Sequence, residues 1–152
     1  MNALAPLDRR RLRTWLRLLR VTRRTENHLR EFLRLNFDTT LPRFDVAAAL
    51  YRSAGPMKMS DLSQRLLVSN GNATAVVERL EKDGIARRIP SEIDRRVVLV
   101  ELTGDGRTWF EEVARAHEAE IDRLFARLGH AELDTIRDLL HRVEGENDDQ
   151  DG

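Results

Sequence analysis

The stretch from Lys58 to Thr103, KMSDLSQRLLVSNGNATAVVERLEKDGIARRIPSEIDRRVVLVELT, leaves few folds open. From Asp61 to Leu67, Leu62 and Leu66 stand four apart, the spacing of one inward face of a short helix. Ser69 is a good N-cap. Ala73, Val76, Val77 and Leu80 then mark the inward stripe of a second helix over Asn70 to Asp83. Gly84 stands where a left-handed helix end belongs. Ile85 to Ile89 reads as a strand, Pro90 to Asp94 holds turn formers, and Val97 to Leu102 is a second strand rich in β-branched residues. Two helices joined by a short turn and followed by a hairpin make a winged helix-turn-helix. Such a module seats its second helix in the major groove of DNA.

The flanking residues predict more helix. From Leu7 to about Leu35, Leu12, Trp15, Leu16 and Leu19 fall at i, i+3, i+4 and i+7, and Leu29, Phe32 and Leu33 resume the stripe. The next helix begins at Pro42, a favourable first-turn residue, and places Phe44, Ala47, Ala48 and Tyr51 on one face. Gly55-Pro56 ends it. Met59 is expected to bridge to the hairpin as a single residue, and Ser60 to cap the helix that follows. Thr103 caps a long helix to about Leu128, striped by Phe110, Ala114, His117, Ile121, Leu124, Phe125 and Leu128, and Gly129 ends it. Ala131 to Val143 forms the last helix, with Leu133, Ile136, Leu140 and Val143 inward. Glu144 to Gly152 is acidic and polar, a composition expected to lack fixed structure. The predicted fold class is mainly α with a small β-hairpin wing. One domain spans 1–152, with the winged module at 42–103 between terminal helices at 7–37 and 104–143.

Charge divides this chain. Net charge is zero, yet from Arg9 to Arg34 ten arginines face only Glu26 and Glu31, a net of +8. From Glu111 to Gly152 thirteen acidic residues meet five arginines, a net of −8. Opposed ends attract, within or between chains, although solvated pairs are weak and apolar packing must supply most of the hold. The absence of cysteine excludes disulfides, thiolate metal sites and thiol redox sensing. Met1 to Pro6 is too short for a secretory signal, and arginines interrupt every apolar run well before the ~18 to 20 residues of a membrane span. A soluble cytoplasmic protein is expected.

The helix from Asn70 to Asp83 leaves Asn70, Asn72, Thr74, Ala75, Glu78 and Arg79 outward. Asn bonds adenine bidentately, Thr and Ala meet thymine methyls, and Arg meets guanine or phosphate. Ser69 and the free amides of the first turn favour phosphate. At the hairpin tip, Arg95 and Arg96 are placed to enter a minor groove, where narrow A·T-rich stretches deepen the negative potential. Asp94 is expected to orient Arg96 through a bidentate pair. Arg87 and Arg88, on the first strand, would add phosphate contacts. The competing reading of each residue is a solvated surface.

With these residues in view, the chain resembles the MarR family of bacterial transcription regulators. The resemblance rests on the Ser60 to Asp83 helix pair, on G-I-A-R-R after it, and on D-R-R-V-V-L-V-E-L-T-G-D-G at the wing and next helix. More loosely, it covers nearly the whole chain. It implies an obligate homodimer whose terminal helices interleave and whose two winged modules bind a pseudo-palindromic operator in double-stranded DNA. Arg96 matches the family's wing arginine. It further implies a small-molecule effector, often an aromatic acid or phenol and in some members an aryl-CoA thioester, held between the dimerisation helices and the winged module. Arg24, His28, Phe32, Phe44, Tyr51 and Phe110 are the candidates here. Aromatics supply a slot and His or Arg a carboxylate partner, although each of these rings also lies on a core stripe. A repressor released by such a ligand is the expected role.

The basic first helix admits other readings: a membrane-surface helix, an anion or DNA-phosphate patch, or an interface helix paired with the acidic end. His28, His117, His130 and His141 offer no metal-ligand pairing, and no cofactor is expected. No nucleophile-base pair or phosphate loop points to an enzyme. The alternatives to a specific regulator are a winged protein-interaction module and a non-specific architectural DNA-binding protein.

Overall fold

Helix α1 (Leu7–Phe37) opens the computed structural model, which describes residues 6–66 and 70–145. No Gly or Pro falls within α1, and it stops where Asp38 turns left-handed, its N–H bonded back to the Arg34 carbonyl. Helix α2 (Leu41–Arg52) starts from Thr40, whose hydroxyl accepts the Arg43 N–H at 3.3 Å, with Pro42 in the first turn. Phe44 and Val46 through Leu50 are all buried. The single face expected for α2 is therefore too narrow, because α1, the two helices that follow α2 and the sheet all pack against it and its alanines let them approach closely.

Strand β1 (Met57–Lys58) pairs antiparallel with β3 (Val98–Leu102), setting Met57 opposite Val100 and Lys58 opposite Leu99. The bridge is thus two residues long and ends before Met59. It forms there because burying Met57 draws it into register with the buried Val100. Helix α3 (Met59–Arg65) follows at once, so Ser60 lies inside its first turn instead of capping it. Helix α4 (Asn70–Lys82) buries Ala73, Val77 and Leu80 as its stripe requires. Gly84 ends it at φ +75°, the left-handed conformation expected of it. Strands β2 (Ala86–Pro90) and β3 (Val98–Leu102) form the wing, and the sheet order is β1-β3-β2.

Helix α5 (Gly104–Leu124) is capped as expected by Thr103, whose hydroxyl accepts the Gly106 N–H at 2.9 Å and donates to the Gly84 carbonyl at 2.6 Å. It ends four residues before the anticipated Leu128. The bonding tightens there, with Ala126 N–H reaching the Arg123 carbonyl and Leu128 N–H the Phe125 carbonyl. Helix α6 (His130–Glu144) begins after Gly129, whose N–H donates to Glu132 Oε2 at 2.8 Å. The chain separates into two compact units, one ending at His117 and one beginning at Glu118. The acidic tail expected beyond the last helix lies, from 146 onward, outside the described residues.

The core of the first unit gathers Leu33, Phe44, Leu62, Val77, Leu80, Val100, Phe110 and Val113. Each such side chain contributes roughly 1.5–3 kcal/mol by leaving water. The terminal helices behave differently. Leu12, Trp15, Leu16 and Val21 on α1 are exposed, and α6 has no buried residue although Leu133, Ile136, Leu140 and Val143 share one face. These stripes, expected to face inward, are uncovered in a single chain. Apolar faces of this extent mark an interaction surface. Among the described residues, no helix is long and apolar enough to cross a membrane.

Candidate nucleic-acid interface

The interface is built on α4, whose stripe of Ala73, Val77 and Leu80 anchors it to the core. That anchoring turns Asn72, Ala75, Glu78 and Arg79 outward and leaves Thr74 half-buried. Asn70 is the first residue of α4, while Ser69, the expected cap, lies outside the described residues. One turn before the helix ends, Arg79 Nε donates to both Asp83 oxygens, at 3.3 and 3.2 Å.

The wing projects from the sheet through a loop held by its own polar groups. Ser91 Oγ accepts the N–H groups of Ile93 and Asp94 at 3.3 Å each, and Val97 N–H reaches the Asp94 carbonyl at 3.0 Å. Asp94 does not form the expected bidentate pair with Arg96. Its Oδ1 accepts the Arg96 backbone N–H at 3.0 Å, and Arg96 Nε stays 3.9 Å away. In a tight turn the backbone N–H two residues on is a nearer partner than a long side chain. Asp94 therefore shapes the loop and leaves the Arg96 guanidinium 95% exposed. Arg95 is exposed beside it.

Arg87 and Arg88 have partners that motif reading missed. Arg87 Nε donates to Glu101 Oε1 at 2.6 Å, across the β2–β3 ladder that sets these two residues opposite each other. Arg88 braces the wing to α4: its NH2 donates to Glu81 Oε1 at 3.0 Å, and its backbone N–H to Glu81 Oε2 at 3.2 Å. Those bonds hold the Glu81 carboxyl below the usual range. Glu78 Oε1 lies 3.9 Å from the same guanidinium. The available signal was acidic residues in the neighbouring helix and strand, Glu81 and Glu101, but pairing across a change of element follows no single period.

A second constellation lies between α2 and α5. Phe44 stacks on Phe110 with centroids 5.5 Å apart, Tyr51 lies 4.8 Å from Phe110, and His117 stacks on Phe44 at 4.4 Å. The Tyr51 hydroxyl donates to Glu111 Oε1 at 3.0 Å, which raises its pKa, and the Arg107 guanidinium stands 5.4 Å over the Tyr51 ring. Burial lowers the His117 pKa. Three of the six candidate ligand residues thus meet. Phe32 instead meets Phe37 edge-on at 6.2 Å, and Arg24 and His28 are exposed on α1. His117, Arg107 and Glu111 join the cluster although motif reading did not select them.

Three comparisons converge on this architecture. The family model described as "MarR family" matches residues 37–97. The uncharacterized HTH-type transcriptional regulator YkoM of Bacillus subtilis (strain 168) is 31% identical over 78% of this chain and 75% of its own. The crystal structure of AbsC, a MarR family transcriptional regulator from Streptomyces coelicolor, superposes with a TM-score of 0.80 at 26% identity, covering 95% of this chain and 96% of that one. A mutant MarR from E. coli, crystallised in complex with operator DNA, superposes at 0.77 with 26% identity over 91% of this chain and 99% of that one. These relatives are regulators and not enzymes. With its helix pair, wing and flanking helices in that arrangement, the chain belongs to the MarR family of winged helix-turn-helix transcription regulators.

Proposed function

We propose that this protein is a cytoplasmic homodimer that binds a pseudo-palindromic operator in double-stranded DNA and represses transcription until a small ligand releases it. One observation carries the DNA reading: the outward face of α4 stands beside a wing whose Arg95 and Arg96 are exposed, on a fold shared with a regulator crystallised on its operator. In this reading Asn70, Asn72 and Thr74 meet base edges in the major groove. Ser69 meets phosphate, Arg95 and Arg96 enter the adjacent minor groove, and Asp94 holds the wing loop in shape. Arg79, Arg87 and Arg88 reach phosphate while already holding carboxylates, which weakens their pull on it.

The homodimer is supported by the uncovered apolar faces of α1 and α6 and by the opposed charges at the two ends of the chain. Two interleaved copies would cover those faces and set arginine-rich helices against acidic ones. The effector we propose is an aromatic acid or its CoA thioester. It is received near Phe44, Tyr51 and Phe110, with Phe32, His28 and Arg24 supplied by α1. Support comes from the ring cluster with a cation over it and from the arginine density of α1.

The test is a titration of the purified protein against duplex DNA from its own upstream region and a scrambled duplex, at two salt concentrations. Tighter, salt-sensitive binding to the native duplex is expected. Equal binding to both would point to an architectural role, and no binding at either salt would favour the protein-interaction reading. Aromatic acids and their CoA thioesters are then added to the bound complex, and release is expected.

A further inference from the structure

A cleft of about 310 Å³ opens between the helix pair and the wing, lined by Lys58, Met59, Ser60, Thr74, Arg88, Arg96, Val97 and Val98. Three of the lining side chains are cationic, two carry hydroxyls and none is acidic. The β1–β3 register fixes Lys58 there: pairing sets it opposite Leu99, and the buried Met57 beside it locks the strand. Among the described residues Lys58 forms no ion pair, whereas Arg88 is held by Glu81. Lys58 thus supplies this cleft with a cation that the fold itself does not use.

We infer that this cleft seats a backbone phosphate of bound DNA and that Lys58 is its principal cation, with Ser60 donating a hydroxyl bond to the same group. The inference rests on the DNA-binding reading above and deepens it. The geometry follows from duplex architecture. If α4 lies in a major groove and the wing in the neighbouring minor groove, the strand that separates those grooves must cross between them. The cleft runs from Thr74 on α4 to Arg96 on the wing, where that strand would pass. A phosphodiester offers anionic oxygens to Lys58 and Ser60, and its sugar can lie against Met59, Val97 and Val98. Such a contact fixes position and carries no sequence information.

The experiment compares full-length wild type, Lys58→Ala and Lys58→Arg on the upstream duplex and on a scrambled duplex, across a salt series. Lys58→Ala is expected to weaken binding to both duplexes by the same factor. It should also flatten the plot of log affinity against log salt by about 0.9 per cleft engaged. Between 50 and 200 mM salt, the wild type then loses about 3.5-fold more affinity per cleft than the variant does. Lys58→Arg should retain the wild-type slope. Thermal unfolding of both variants checks that this exposed position leaves the fold unchanged. A wild-type slope in Lys58→Ala, or a loss confined to one duplex, overturns the inference while the DNA reading stands. If the wild type binds neither duplex with salt dependence, the DNA reading fails and the phosphate seat with it.

Discussion

Gly106 and Gly104 stand two residues apart at the start of α5, and exchanging each for Ala should have opposite effects. A methyl group on Gly106 would overlap the Ile85 carbonyl oxygen and stand 2.8 Å from its carbon and 3.0 Å from the Ile85 Cα. The oxygen is the closest of the three, and ordinary contact begins near 3.4 Å, so the two backbones must part by about 1.5 Å. Neither can give like a side chain. The same carbonyl accepts the Thr103 N–H at 2.9 Å, and the Thr103 hydroxyl reaches the Gly84 carbonyl at 2.6 Å, so parting them strains the joint between wing and α5. Overpacking costs roughly 1–3 kcal/mol. One or two weakened hydrogen bonds add about 1 kcal/mol each, and Ala returns up to about 1 kcal/mol of helix propensity. The net loss for Gly106→Ala is about 1–4 kcal/mol, or roughly 2–16 °C in Tm for a chain of this length. A Cβ on Gly104 meets nothing within 4 Å, so Gly104→Ala should be neutral or stabilising by up to about 1 kcal/mol. Urea unfolding at one fixed protein concentration measures both. Equal stabilities for the two variants would refute the close approach as the reason Gly stands at 106.

Arg96→Ala should weaken binding to the upstream duplex by about tenfold while light scattering shows the oligomer unchanged; full affinity would remove the wing from the interface. Removing the residues after Leu128 should leave a monomer by sedimentation, because it deletes the exposed apolar face of α6; a stable dimer without α6 would contradict the proposed interface. Burial depresses the His117 pKa, so the neutral ring is the folded form. Its contribution to stability is present above its ordinary value near 6.5 and is lost as pH falls through the lower folded value. His117→Phe keeps a ring on Phe44 and should remove that part of the acid destabilisation as pH falls below the ordinary histidine value. An unchanged pH profile would exclude His117 as its source.

The local signals in the sequence were strong where one residue decides one conformation. Thr103, Gly84 and the stripe of α4 act within a single turn, so spacing alone located them. Short-range competition was harder to foresee. Asp94 had two possible partners in Arg96, a guanidinium and a backbone N–H, and the tight loop decided for the backbone. A two-residue strand such as β1 carries no period at all, so its position emerged only from the burial of Met57. Contacts across the fold were out of reach: Tyr51 to Glu111 and Phe44 to His117 join helices far apart in the chain. The periodicity of α1 and α6 was read correctly as apolar, but a stripe does not say which molecule covers it.

Six cations of the helix pair and wing fall into two groups, and the division bears on how a chain of zero net charge can bind a polyanion. Arg79, Arg87 and Arg88 are already matched, to Asp83, Glu101 and Glu81. For any of them a DNA phosphate shares the guanidinium with a carboxylate that already offsets its charge, so less Coulombic energy is gained than at an unpaired cation. Lys58 and Arg95 form no ion pair among the described residues, and Arg96 keeps only a 3.9 Å contact at the edge of the loop. Lys58 and Arg96 line the cleft where the wing meets the helix pair and Arg95 is exposed beside Arg96 in the chain, while the paired arginines brace the elements that carry them. Arg88 ties α4 to the wing, Arg87 ties the two wing strands and Arg79 ties the end of α4, while the unpaired cations supply attraction. The salt dependence of binding should therefore count the second group and be insensitive to the first. Neutralising Glu81 or Glu101 would then disturb binding through the geometry of the wing rather than by freeing a charge for DNA.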